Sequence, residues 1–486
     1  MNNKTKSILL FISKATTIGI NLISMMLISR YLTINQYSDY RQILTALTLV
    51  ISVASVGLPS SILYFITPTQ KNEYLPSLYI SFAGILVLLI PLSVVGLFYF
   101  DFNFNTHIFT GNSIVFISLF LLSFLGACIE NLFVSCTRFK LVLLNASIPN
   151  LIYALGLIYC FMSGKGISFL VYSLVLREVF RLFLLLYFIT TTKVNMKNVK
   201  FNRVKEIIFF SIPIGISGLV STLNTNLDKL ITGKFLSKHD FAVIATASYE
   251  IPVLGLIGLS LFNILVPSIK EHFKENNLSE IIKLWDRAGK VMITVILPIT
   301  VAFIVFGKEV VIVLFSQKYL DSVNLFKLYQ INALTRIYYY SSFFLALGLN
   351  KLYTKNAIIN LINNAILNIV LVHFLGVLGT ALANVISAQL LVVIQNHQIS
   401  RSLKVKALDI FPLFDFIKGL FLSFGISYLV YGLYSWIFNI NIYFALGFMC
   451  LSIIASIIIL NLFINNEIIL LVIKMIRKLK RGKYAV

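Results

Sequence analysis

The chain has 486 residues, 58% hydrophobic and 12% charged, with a mean hydropathy of +0.91; soluble domains are about 25% charged, which excludes a cytosolic enzyme or a secreted module. Its 40 Lys and Arg against 18 Asp and Glu give a net charge of +22, yet most basic residues lie between apolar runs, where they set topology and meet anionic lipid rather than nucleic acid. Cys128, Cys136, Cys160 and Cys450 lie in or beside apolar runs without CxxC or Cys/His spacing, so neither a disulfide framework nor a metal site is signalled.

Apolar runs of spanning length, bounded by polar or Pro/Gly clusters, predict an all-α polytopic membrane protein of about 14 transmembrane helices. The spans fall near 7–29, 42–66, 76–99, 113–135, 143–162, 168–190, 206–231, 242–267, 288–306, 323–347, 356–374, 377–398, 413–435 and 442–464. The first is long enough to span and lacks a small-residue cleavage site, so it reads as a helix and not a signal peptide.

An ionisable group inside a span costs about 2.5 to 3.5 kcal/mol and normally faces a bundle interior or water, so such groups are the best pointers to a transport path. In chain order the first is Lys14, two turns into span one, placed to meet an anion or to snorkel to the inner interface. The connection from Asp101 to Asn112 carries one Asp and one His and reads as a plain cap.

Span six holds Arg177, Glu178 and Arg181. The two arginines are four apart, so both guanidinium groups leave one helix face. An anionic ligand such as a diphosphate relieves their repulsion through bidentate hydrogen bonds, and the alternative is a structural pairing with Glu178.

Span seven carries Ser217, Ser221, Asn224 and Asp228 as one stripe, with Lys229 placed to pair with Asp228. In span eight Glu250, two residues before Pro252, is a carboxylate placed to carry a proton unless a Lys or Arg neutralises it, and Asp228 and Glu178 are the other candidates for coupling or gating. Arg336 lies near the middle of span ten beside Tyr338, Tyr339 and Tyr340, which suit sugar rings or, better, packing between helices, with Tyr339 the candidate sugar contact. Lys327 and Lys418 sit near span ends and read as snorkelling. Span eleven repeats Asn356, Asn360, Asn364 and Asn368 at four-residue steps, a stripe that suits sugar hydroxyls or, better, interhelical hydrogen bonding. Pro59, Pro91, Pro213, Pro252 and Pro298 permit kinks. The tail over 465–486 interleaves six basic residues with apolar ones and reads as a basic amphipathic stretch on the inner leaflet.

Of the 40 Lys and Arg, 26 fall in one set of alternate connections and 7 in the other. By the positive-inside rule both termini are cytoplasmic, in agreement with an even number of spans. Arg30 to Tyr37 (RYLTINQY) and Lys234 to Phe241 (KFLSKHDF) share a basic, aromatic, Leu, hydroxyl, aromatic order at an offset of 204 residues. Six spans separate them, which predicts a parallel repeat. The implied organisation is a six-helix bundle over 1–192, a second over 193–400, two additional helices over 401–464 and a basic cytoplasmic tail over 465–486.

RYLTINQYSDYRQ from Arg30, GLPSSILYF from Gly57, SIPIGISG from Ser211 and DKLITGKFL from Asp228 together resemble the polysaccharide flippases, the O-antigen and capsule repeat-unit exporters of the multidrug/oligosaccharidyl-lipid/polysaccharide superfamily. Ser38 stands where that family usually has Gly, so a less tight turn is expected there.

The resemblance implies two pseudo-symmetric bundles around a central cavity in the bacterial inner membrane. Its cargo would be an undecaprenyl-diphosphate-linked oligosaccharide moved from inner to outer leaflet, with no bond made or broken. Lys14, Arg177, Arg181 and Arg336 would form a cationic cavity for the diphosphate, and Asn224, Asn360, Asn364 and Tyr339 would offer sugar contacts. No cofactor is expected beyond coupling to a H+ or Na+ gradient. Partners would be the lipid-linked oligosaccharide, membrane lipids and the polysaccharide polymerase and chain-length machinery. A peptidoglycan-precursor flippase shares these features. A multidrug extruder should show an acidic cavity, and a glycosyltransferase or polymerase should carry a large outer loop or a catalytic acidic pair, which the sequence lacks.

Overall fold

The computed structural model describes residues 3–464 apart from 68–69, 165, 193–198, 251 and 439–441. The basic tail, 465–486, lies outside the described residues. By packing, the chain forms two compact units, Met1–Ala242 and Val243–Val486.

The first unit contains α1 (Asn3–Tyr31), α2 (Ile34–Ser55), α3 (Leu58–Phe65), α4 (Lys71–Phe104), α5 (Ile108–Gly111), α6 (Ser113–Ser135), α7 (Phe139–Met162), α8 (Ile167–Thr192) and α9 (Phe201–Phe235). The division falls within α10 (Lys238–Ala247). The second unit continues with α11 (Pro252–Lys274), α12 (Leu278–Val305), α13 (Gly307–Phe315), α14 (Val323–Gln330), α15 (Tyr340–Ala346), α16 (Asn350–Leu403), α17 (Ala407–Ile410), α18 (Leu413–Phe438) and α19 (Ile442–Phe463). Every expected span coincides with a helix or with helix pieces. Nine helices among the described residues are long and apolar enough to cross a membrane, or ten if α2 and α3, bent by 46°, count as one. The architecture is that of an all-α multi-pass membrane protein, as expected.

Where the structure departs from the expected spans, local chemistry explains it. α16 is two helices joined at Gly376, whose φ of +55° only glycine adopts freely. The joint falls between the spans expected over 356–374 and 377–398. Span eight, expected to run through, is interrupted after α10: residues 248–250 are not helical, and α11 starts at Pro252, whose missing N–H suits a first helical position. Span ten is also broken: α14 passes into a 3-10 turn over Ile331–Arg336, and non-helical backbone follows before α15. Ser38 does not mark a turn. It is buried inside α2, because Thr33 caps the helix five residues earlier.

The repeated segment is the same structure in both copies. Thr33 and Gln36 form a capping box at the start of α2, each side chain accepting from the other's backbone N–H at 3.1 and 3.3 Å. Ser237 and Asp240 do the same at the start of α10, at 3.2 and 3.1 Å. The aromatic that closes each motif, Tyr37 and Phe241, is fully buried.

α9, first helix of the second repeat by sequence, packs on α2, α3 and α4. Built Cβ atoms show how closely: one at Gly215 would lie 2.3 Å from the Val56 carbonyl carbon, and one at Gly57 would lie 2.3 Å from the Ser211 carbonyl oxygen. The contact boundary therefore follows α9, whereas the repeat boundary precedes it. In the second unit α18 and α19 lie against α12.

Candidate functional site

In the first unit, α8 carries the Arg177, Glu178 and Arg181 cluster into the protein. Arg177 Nε donates to Glu178 Oε1 at 2.8 Å, and Arg181 Nη1 lies 3.2 Å from both oxygens of the same carboxylate. Glu178 is 1% exposed, while the arginines keep 17% and 20% of their side-chain surface. One carboxylate thus spans two guanidinium groups and leaves a net positive charge.

Neighbouring helices shape the seat. Gly126 of α6 leaves room for the carboxylate, since a Cβ there would sit 2.4 Å from Glu178 Oε2. Arg177 lies over the Tyr153 ring at 5.4 Å, and Tyr153 shares a 2.5 Å hydroxyl contact with Tyr40. Gly126 and the Tyr40–Tyr153 pair carry no charge and escape a search for ionisable groups within spans. A glycine inside an apolar helix is the signal that was there to be used, because small residues mark close approach in membranes. Glu130, exposed toward the C-terminal end of α6, acts electrostatically on Arg181 and is a further acid within a span.

In the second unit the two broken spans meet. Glu250, in the break after α10, accepts from Arg336 Nη2 at 3.0 Å, and Arg336 ends the 3-10 turn. This pair is open: Glu250 is 65% exposed and Arg336 38%. Tyr339 sits beside Arg336, half-buried, with its hydroxyl donating to the Gly255 carbonyl at 2.8 Å and its ring against Gly258. Tyr338 is a core residue, stacked on Trp285 at 4.8 Å over Gly289.

The remaining candidates divide by burial. Lys14 is exposed on α1. Asn224 is partly exposed on the α9 stripe, at whose end Asp228 is buried 3.6 Å from Lys229. On α16, Asn356 exchanges hydrogen bonds with Gln398 across the two antiparallel halves, at 2.5 and 2.9 Å. Asn364 is buried and accepts from Asn368 at 2.8 Å, while Asn360 is partly exposed. Asp101 caps its connection by accepting from the Phe109 and Thr110 backbone and from the Thr106 and Thr110 hydroxyls. A cavity of about 220 Å³ in the first unit lies elsewhere, beside Asp39, Asn112, Ser168 and Tyr172, and holds none of the predicted cationic residues. Among the described residues, no cluster of His, Cys, Asp and Glu is arranged to hold a metal ion.

The chain is 21% identical over 117 residues to the capsular polysaccharide biosynthesis protein CapF of Staphylococcus aureus, a match that covers 24% of this chain and 30% of that relative's length. Its fold is similar to that of the lipid II flippase MurJ in an inward closed conformation, with a TM-score of 0.72 over 96% of this chain and 100% of that one at 18% identity. An inward-facing multidrug resistance MATE transporter of the MOP superfamily is similar over 79% of this chain and 94% of that one, with a TM-score of 0.55 and 14% identity. At such identities these likenesses speak for the fold. The family described as polysaccharide biosynthesis protein matches residues 27–324, more than half of the sequence, and to that family this multi-pass membrane protein belongs.

Proposed function

We propose that the protein is a flippase that moves an undecaprenyl-diphosphate-linked oligosaccharide repeat unit from the inner to the outer leaflet of the bacterial plasma membrane by alternating access, for assembly of a surface polysaccharide such as O-antigen or capsule. The observation that carries the reading is the set of three arginines within expected spans, Arg177 and Arg181 together and Arg336 by itself, each in contact with a carboxylate and each keeping part of its surface open. Charged groups exposed at that depth need water and not hydrocarbon around them, and guanidinium forks suit a diphosphate. Membership of a polysaccharide biosynthesis family supports the choice of cargo.

In this reading Lys14 assists with the diphosphate as the inner side opens, and Asn224, Asn360 and Tyr339 contact sugars; Asn364, being buried, reaches a sugar only if its helix moves. Glu250 is the candidate for coupling to a H+ or Na+ gradient, and Asp228, tied to Lys229, acts on the gating of α9. Both termini lie in the cytoplasm, and the polysaccharide polymerase and chain-length machinery receive the product. The similarity to a lipid II flippase along nearly the whole chain favours a peptidoglycan precursor as the second reading.

Deleting the encoding gene and analysing the lipid-linked intermediates held inside the cell tests this. A trapped polyprenyl-diphosphate repeat unit is the expected result, and trapped peptidoglycan precursor would select the second reading. Complementation by Arg177→Ala, Arg181→Ala and the double variant is expected to fail while each protein still inserts; full export by all three would reject the cationic seat.

A further inference from the structure

The Arg177/Arg181 cluster and the lone Arg336 pair with carboxylates of opposite character. Glu178 is sealed beneath α6 and joins two arginines of its own helix. Removing it from them would strand a buried charge, so it is a fixed part of the seat. Glu250 meets Arg336 in the open, across 86 residues of sequence, in a contact made by one guanidinium nitrogen and one carboxylate oxygen at 3.0 Å. An ion pair that exposed contributes little net stability and is easily exchanged. Glu250 stands on non-helical backbone after α10 and Arg336 on the last residue of the 3-10 turn, so neither lies within a regular α-helix.

From this contrast we infer that Glu250 is an internal competitor for the anion seat of Arg336: it occupies the guanidinium when the site is empty, leaves when a diphosphate headgroup arrives, and returns to displace that headgroup at release. The inference rests on the proposed cargo and deepens it. Both chemistry and local structure support the exchange. A carboxylate and a phosphoryl oxygen compete for the same N–H donors of a guanidinium. A diphosphate, carrying more charge and more acceptor oxygens than one carboxylate, can win that competition. The Tyr339 hydroxyl, anchored on the Gly255 carbonyl beside Arg336, keeps the region around the arginine in place while the carboxylate moves. A carrier needs such a device, because a seat that only attracts a multiply charged headgroup would hold it.

The test is equilibrium binding of a fluorescent polyprenyl diphosphate to the purified full-length protein in lipid nanodiscs, for the wild type, Glu250→Gln, Glu250→Ala, Arg336→Ala and the Glu250→Gln/Arg336→Ala double variant. Glu250→Gln and Glu250→Ala are expected to bind more tightly by roughly two- to fivefold, the range into which the energy of an exposed pair converts. Arg336→Ala is expected to bind more weakly, and the double variant to match Arg336→Ala because the competitor has lost its target. Weaker binding by Arg336→Ala with no gain in either Glu250 variant would overturn the competitor role and leave the proposed cargo standing. Wild-type affinity in Arg336→Ala would likewise overturn the competitor role alone, and no binding by the wild type would overturn both.

Discussion

Gly126 of α6 and Glu178 of α8 approach so closely that a Cβ on the glycine would lie 2.4 Å from the carboxylate Oε2 and 3.2 Å from Arg181 Nη1. Gly126→Ala is therefore expected to push Glu178 out of the seat it shares with two arginines, at an overpacking cost of about 1 to 3 kcal/mol. Thermal unfolding of the purified variant should show the loss, and complementation of a deletion strain should fail. Gly84→Ala in α4, where nothing lies within 4 Å, is the control and should leave both unchanged.

The two carboxylates predict opposite stability responses to the same substitution. Glu178→Gln leaves two arginines, both largely buried, without their shared counter-ion and should destabilise the protein by about 3 to 5 kcal/mol. Glu250→Gln removes an exposed pair and should leave the unfolding midpoint close to that of the wild type. Differential scanning fluorimetry of the two variants side by side decides the matter; equal losses would mean that the exposure of Glu250 does not describe its role.

The paired capping boxes offer a check on the internal repeat. Thr33→Ala and Ser237→Ala each remove one side-chain acceptor from a helix start and are expected to cost about 1 kcal/mol apiece. The double variant should lose the sum, measured by denaturant unfolding. A loss at one site only would show that the two copies have diverged in how much they depend on the cap.

Asn356 and Gln398 satisfy one another across the two halves of α16. Asn356→Leu leaves the Gln398 amide without that partner and should cost about 1 to 3 kcal/mol, while Asn356→Leu/Gln398→Leu should recover much of it. A double-mutant cycle on unfolding midpoints measures this coupling. Strong loss of export in a stable double leucine variant would instead assign these amides to the transport path.

Much of the membrane architecture was open to a reader of the sequence, since spans announce themselves by composition alone. The joint at Gly376 falls between two expected spans, and the 204-residue echo is realised as matching capping boxes because hydroxyl and acceptor at a spacing of three have one local use at a helix start. Pro252 marked a kink beside Glu250, whereas the break in 331–339 was not legible. Hydropathy is indifferent to whether an apolar run is continuous, and only the packing of Tyr338 and Tyr339 against Trp285, Gly255 and Gly258 shows where the second break is held.

The same division applies to the candidate site. Sequence alone marked Arg177, Arg181, Arg336 and Glu250, because charge inside an apolar run is conspicuous whatever the fold. Tertiary structure decided which carboxylate each arginine meets, that Glu178 is sealed by Gly126 while Glu250 stays open, and that the Asn356 amide is spent on Gln398. Burial and pairing depend on residues distant along the chain, and the distance between Arg336 and Glu250 is fixed only when two separately broken helices come to lie side by side.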